Sequence, residues 1–334
     1  MAIIHTICMI AVLAYLLYLA SRSHPTTPRK MIIDTDAGGD DALAIMLALM
    51  YEAKTHDIEI LAITTTYGNT YLKNVEQNVL KILTIANRSD IPVYGGAEKP
   101  LVNSYKSDNY FGFDGFGDFN FTKEITAKVQ TKNASVLLAD LVKQYPNEII
   151  LVSLAPLTNI ALATLSEPCF LHLLKQHIIM GSNIEKDSDK LNQSDQIEFN
   201  FKQDPESNWI VLNNTNKPST IVPINAIRAN PITKEEYRYI YSRLDESIAN
   251  FLYLAERLGL EKTETWEPSD GIAMAIALRP EIITESFETN LKPIVEGDRR
   301  GAVEIDYENA VHNAVLIENF NVTIFKNLLF EYLS

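Results

Sequence analysis

Apolar and polar residues are distributed along this chain in blocks. Lys30–Asp34, Ile58–Thr65, Ile91–Tyr94, Glu148–Ser153, His177–Met180 and Ser219–Val222 are short, largely apolar runs bounded by turn residues, the pattern of strands buried on both faces. Between them lie windows with helical spacing. Asp40–Ala53 is apolar almost all round and Tyr71–Asn87 is amphipathic; Ala134–Gln144, Pro156–Leu165 (with proline in its first turn) and Pro205–Asn213 follow. This alternation predicts parallel βαβ units, hence an α/β fold: a Rossmann-like, mostly parallel central sheet with helices on both faces, in a single domain. The last third changes character, with helices over Lys234–Leu258, Asp270–Leu278 and Val322–Tyr332 and a hairpin over Leu291–Ile305 around Gly297-Asp298-Arg299-Arg300-Gly301. Lys99–Thr122, rich in Gly, Asp and aromatic residues, and the polar Glu185–Gln196 show no period and are expected as loops; long loops in compact domains are often functional.

The N-terminus stands apart. Residues Ile3–Ala20 are almost all apolar, and Ser21–Pro28 is polar and proline-rich. This reads as a signal peptide over residues 1–23, a linker over 24–30 and a domain over 31–334, hence a secreted protein. The leader carries no Lys or Arg ahead of its apolar run, and that run is long for a signal sequence, so a membrane anchor through residues 3–20 is the alternative. Of the two cysteines, Cys8 falls in the leader, which leaves Cys169 as a single thiol and no internal disulfide. Glycosylation sequons at Asn87, Asn120, Asn133, Asn192, Asn213 and Asn321 agree with secretion but arise readily by chance in an Asn-rich chain.

Composition narrows the function. With 46% hydrophobic and 22% charged residues the chain is an ordinary globular one, and its net charge of −14 argues against a nucleic-acid partner. That balance suits a small neutral substrate, or a site that gathers carboxylates around a cation. Asp34-Thr35-Asp36-Ala37-Gly38-Gly39-Asp40-Asp41 is such a site, four carboxylates between a buried strand and a buried helix. The carboxyl end of a parallel strand is where open α/β sheets place ligands. So much buried like charge calls for a compensating cation, and hard oxygen ligands suit Ca²⁺ or Mg²⁺. A solvated acidic turn with Asp40 as a helix N-cap is the plainer alternative. An EF-hand loop fails, because Ile45 stands where its twelfth-position Glu is required. A phosphatase with a nucleophilic Asp fits the strand context but gives the doubled Asp40-Asp41 no role.

The Asp-Thr-Asp-x-Gly-x-Asp-Asp-Ala pattern of Asp34–Ala42 resembles the N-terminal fingerprint of inosine-uridine-type nucleoside hydrolases. Ala62–Asn69, Leu151–Ala161, Met180-Gly181, Glu198-Phe199-Asn200, Asp204-Pro205, Pro268-Ser269-Asp270 and Arg300-Gly301 follow the family's order, so the resemblance covers most of the chain. It implies a secreted, metazoan-type member that hydrolyses the N-glycosidic bond of ribonucleosides with Ca²⁺, as a homodimer or homotetramer. It further implies that Asp36, Asp41, Asp270 and the Leu154 carbonyl bind the metal, that Asp36 takes a proton from the attacking water, and that Asp40, Asn192, Glu198 and Asn200 hold ribose hydroxyls, with Asp34 and Asn69 behind them. Each residue has a plainer alternative: Asn192 as a surface sequon, Glu198 and Asn200 on one face of a short strand, Asp270 as a helix N-cap.

Two positions depart from the family. Ser269 stands where many members carry a proton-donating His, and Phe111 where another His is common. A Ser is too weak an acid for that role. Phe111, Phe113, Trp266 and Tyr110 are candidates to stack on the base instead, which favours a purine; as ordinary core or loop aromatics they would do nothing of the kind. The missing His residues also leave open a non-catalytic nucleoside or ribose binder.

Overall fold

The computed structural model describes residues 27–184, 197–214 and 217–334. The proposed leader over residues 1–23, residues 24–26 of the linker and Asn192 lie outside the described residues. The first crossover forms where apolar runs meet turn chemistry. Strand β1 (Arg29–Thr35) runs into helix α1 (Gly39–Thr55), and β2 (Ile58–Thr65) into α2 (Leu72–Ile85). Then come β3 (Val93–Gly95), β4 (Val129–Gln130), α3 (Ala134–Gln144), β5 (Ile149–Ser153), α4 (Thr158–Ser166), α5 (Phe170–Leu173) and β6 (Gln176–Met180). The chain continues through α6 (Phe199–Gln203), α7 (Pro205–Asn213), β7 (Ser219–Val222), α8 (Ile224–Arg228), β8 (Ile232–Thr233), α9 (Lys234–Tyr241), α10 (Glu246–Leu260), β9 (Thr265–Trp266) and α11 (Ser269–Leu278). It closes with β10 (Ile283–Thr289), β11 (Leu291–Pro293), β12 (Val303–Ile305), β13 (Ala314–Phe320) and α12 (Val322–Leu333).

Nine strands form one sheet in the order β10-β13-β7-β6-β5-β1-β2-β3-β4, parallel except for the antiparallel β10–β13 edge. Successive residues of β1 feed opposite faces: Met31 and Ile33 join the larger core beneath α1, α10, α11 and α12, and Ile32 joins the one beneath α3, α4 and α7. The expected sheet buried on both faces is therefore present, as is the β11–β12 hairpin. The chain winds outward from β1 through β2, β3 and β4, then returns to β1's other side as β5. Asp34 pairs in register with Thr64 of β2 and Ser153 of β5, so the carboxyl ends of three strands converge where the winding reverses, the usual ligand crevice of such sheets.

Several expected elements differ. Lys234–Leu258 is two helices, because Asp245 accepts from the N–H groups of Ser247 and Ile248 at 2.9 and 3.1 Å and starts a new one. Strands β10 and β13 were not expected from the pattern; β10 is largely exposed and lacks an apolar run. Glu198 caps α6 and does not lie in a strand. Pro156 precedes α4. Gly38, not Asp40, is the N-cap of α1, and α11 starts at Ser269, so Asp270 lies inside its first turn. Among the described residues no helix is long and apolar enough to cross a membrane.

Candidate active site

The turn after β1 aims its carboxylates by a chain of local bonds. The Thr35 hydroxyl donates to Asp41 Oδ1 at 2.5 Å and accepts from the Ala37 N–H at 3.0 Å. Asp41 Oδ2 accepts from the Gly38 N–H at 2.8 Å and the Asn69 side chain at 3.2 Å, so Asp41 caps its own helix. Ala37 carries φ of +33°, a sparsely allowed conformation for a residue with a Cβ; the turn around it is pinned by these bonds and by Asn78, which donates to its carbonyl. Asp36 Oδ2 accepts from the Asn69 N–H at 2.6 Å. Asp34 Oδ1 accepts from Thr64 at 2.6 Å and Asn159 at 2.8 Å.

These groups surround a cavity of about 500 Å³, within the usual size for a small-molecule site. Its floor holds Asp36, Asp40, Asp270, Asn69 and Leu154; its walls include Glu198, Asn200, Glu256, Tyr110, Phe111 and Trp266; Arg228 and Glu267 also line it. The Leu154 carbonyl accepts from Asn200 Nδ2 at 2.9 Å. Glu198 accepts from the N–H groups of Ser182, Asn200 and Phe201 at 2.8–3.0 Å. Asp34 and Asp41 lie behind the floor, fully buried and outside the cavity lining.

Carboxylate oxygens of Asp40, Asp41 and Asp270 lie within 4.8 Å of one another. Asp36 is not in that triangle; one of its oxygens accepts from the Asn69 N–H, and its Oδ1 is buried without a hydrogen-bond partner. Burial is the main cause that pushes all these acids up. Asp34 reaches about 7, and Asp40 about 8 with Asp41 repelling it; Asp36, Asp41 and Asp270 are raised as well, Asp36 by Asp41 and Asp270 by its Asp neighbours. An unpartnered carboxylate oxygen beside a triangle of hard oxygen donors fits a divalent cation, since a cation removes the penalty of charging all four.

The aromatic candidates divide. Phe111 and Trp266 line the cavity, Phe111 wedged against Gly38, Gly39 and Gly259, whose missing Cβ atoms leave it room. Phe113 is 72% exposed and is not brought to the cavity. Ser269 does line it. Sequence reasoning missed Arg228, Glu256 and Glu267. Glu256 is buried, accepts from Trp266 Nε1 at 3.0 Å and is pushed by burial to about 7. Its signal was there to find: with Leu252, Ala255 and Gly259 it occupies the buried face of α10, where an acid has no ordinary place.

A family model described as inosine-uridine preferring nucleoside hydrolase matches residues 31–327. An inosine-uridine preferring nucleoside hydrolase of Leishmania major is 37% identical over 188 residues, 56% of this chain and 57% of that protein, so the match spans little more than half of that relative. The pyrimidine-specific ribonucleoside hydrolase RihA of Klebsiella pneumoniae (strain 342) is 30% identical over 293 residues, 85% of this chain and 90% of that one. The solved structure of an inosine-guanosine nucleoside hydrolase superposes with a TM-score of 0.80 at 30% identity, over 92% of this chain and 100% of that one. With the fold, the carboxylate floor and the match over residues 31–327 in agreement, this chain belongs to the inosine-uridine preferring nucleoside hydrolase family.

Proposed function

We propose that this protein hydrolyses the N-glycosidic bond of ribonucleosides to ribose and free base, with Ca²⁺ as its metal and a preference for purines. The observation that carries the proposal is the carboxylate floor, in which Asp36, Asp40 and Asp270 face one cavity with Asp41 directly behind. In this mechanism Asp36, Asp41, Asp270 and the Leu154 carbonyl would hold the ion, and Asp40 would grip ribose hydroxyls. The chemistry that Ca²⁺ would supply when bound there is the acidification and orientation of a water. Asp36, with its unpartnered Oδ1, accepts a proton from the attacking water. Glu198 and Asn200, and Asn192 outside the described residues, hold the remaining hydroxyls. Asp34 and Asn69 fix the aim of the floor. The sugar carbon becomes oxocarbenium-like as its bond breaks, and the surrounding carboxylates stabilise that positive charge. Ser269 cannot protonate the departing base. Phe111 and Trp266 supply aromatic surface in the cavity wall, and this supports the purine preference.

The protein is further proposed to be secreted after loss of residues 1–23, or anchored through residues 3–20, and to assemble as a homodimer or homotetramer. Ser269 motivates a second reading, a nucleoside or ribose binder without turnover. Ribose release from inosine, guanosine, adenosine, uridine and cytidine separates the two, run with Ca²⁺, with chelator and with Asp36→Ala. Release that chelator suppresses and Asp36→Ala abolishes is the expected result. Nucleoside binding in Ca²⁺ with no release from any of the five would leave the binder.

A further inference from the structure

The cavity is acid-rich: Asp36, Asp40, Asp108, Glu198, Glu256, Glu267 and Asp270 line it, against two cations, Lys202 and Arg228. Arg228 is the last residue of α8, and its side chain is 58% exposed. Asp36 and Asp270 on the floor are buried and Asp40 is half-buried, so the more exposed Arg228 belongs to the open end of the same cavity. The helix that carries it is tied to the segment after β6: the Ile184 N–H donates to Asn225 Oδ1 at 2.7 Å, and Asn225 Nδ2 donates back to the Ile184 carbonyl at 3.0 Å. Glu267, two residues before Ser269, accepts from Arg228 Nε and Nη2, each at 3.4 Å. Among the described residues Nη1 has no hydrogen-bond partner, so the fork formed by Nη1 and the second Nη2 hydrogen is available to a ligand.

A nucleoside whose ribose occupies the carboxylate floor carries its base toward this open end. The base leaves with the electron pair of the broken bond, and the charge spreads to its ring nitrogens and any conjugated carbonyl oxygen. We propose that Arg228, oriented by Glu267, is the residue that selects the base, and that it makes a 6-oxopurine nucleoside the preferred substrate. A planar guanidinium fork matches two adjacent acceptors, and a 6-oxopurine presents O6 beside N7. Adenosine places an amino donor where O6 would be, against the Arg donors; uridine has a carbonyl without an adjacent ring acceptor. The carbon–nitrogen bond breaks with its electron pair on the base, and the water oxygen bonds to the sugar carbon. One water proton passes to Asp36 and on to solvent, while solvent protonates the base. The guanidinium keeps all its protons and acts by charge, which makes good the absence of an acid at Ser269.

The inference rests on the hydrolase reading, and the test separates the two. The full-length protein with Ca²⁺ is assayed for kcat/KM on inosine, guanosine, adenosine, uridine, 7-deazainosine and p-nitrophenyl ribofuranoside, whose leaving group needs neither proton nor fork. The wild type should favour inosine and guanosine over adenosine by at least about 10-fold, and 7-deazainosine should fall below inosine. Arg228→Met should cut inosine and guanosine on the order of 10–100-fold, leave adenosine and the nitrophenyl riboside within about 3-fold, and erase the difference between inosine and 7-deazainosine. Arg228→Lys should not restore the preference, since a point charge lacks the fork. An equal loss on every substrate, a wild type that prefers adenosine or uridine, or equal rates for inosine and 7-deazainosine would overturn the assignment while leaving the hydrolase intact. No release even from the nitrophenyl riboside would remove the hydrolase reading, and this inference with it.

Discussion

At Gly68 an absent side chain has a large effect. A Cβ there would stand 2.0 Å from Asp36 Oδ2 and 2.8 Å from Asp36 Cβ, so any other residue must move that carboxylate. The same oxygen is anchored by the Asn69 N–H at 2.6 Å, so the displacement breaks a bond as well. Gly68→Ala should cost about 1–3 kcal/mol of stability, as overpacking does, but on the order of 100-fold or more in kcat/KM, because a displacement of about 1 Å is enough to spoil a reacting geometry. Urea denaturation and ribose release measure the two separately. Wild-type activity in a folded Gly68→Ala protein would show that Asp36 needs no fixed position. The sequence named Asp36 and Asn69 because their types carry chemistry in themselves. Glu256 and Arg228 went unnamed because their meaning depends on which face of a helix, or which end of a cavity, they occupy.

Elements hold the site by contacts between segments far apart in sequence. Phe111 comes from the aperiodic loop, and its ring fits between the start of α1 and the end of α10; a Cβ at Gly39 or Gly259 would come within 2.8 or 2.5 Å of Phe111 Cε1. Two opposing effects meet at Gly259. Alanine gains up to about 1 kcal/mol over glycine in a helix, and less in the last turn where Gly259 lies, while forcing a methyl into a filled slot costs about 1–3 kcal/mol. Gly259→Ala should therefore be neutral to destabilising by about 2 kcal/mol in the wild type and less costly, close to neutral, when Phe111 is also replaced by Ala, since Tyr110 Cε1 still stands 3.0 Å from the added methyl. Chemical denaturation of the four proteins of this cycle reads the coupling; additive effects would mean that the slot does not fix the loop. Periodicity could announce α10 but not this docking. It also could not find the break at Asp245, because the apolar spacing of α9 and α10 runs on across it and only the cap chemistry marks the boundary.

Over the whole molecule, strand–helix alternation was legible because buried parallel strands are apolar on both faces. Strand order was not, since β1's central place depends on where the chain reverses, and the edge strand β10 is largely exposed and carries no apolar run. The concentration of charge at one place was legible too, and it has a consequence for the entire fold. Asp34 at about 7, Asp40 at about 8 and Glu256 at about 7 all sit above their ordinary values, and Asp36, Asp41 and Asp270 are raised with them. In each case the folded state holds a proton more tightly than the unfolded chain does. Between about pH 4 and pH 8 the folded protein therefore binds more protons than the unfolded one, and metal-free stability falls as pH rises through that window. A cation on the floor opposes this by favouring the charged carboxylates. Ca²⁺ should thus bind more tightly and release protons as pH rises from 6 to 8, and at a free concentration of about 100 Kd it should add about 2.7 kcal/mol. Thermal melts from pH 5.5 to 8.5 with chelator and with Ca²⁺, together with calorimetry in buffers of different ionisation enthalpy, test both statements. Metal-free stability that climbs steadily to pH 8, or a Ca²⁺ increment that does not change with pH, would mean that the floor carboxylates are already charged and compensated without an ion.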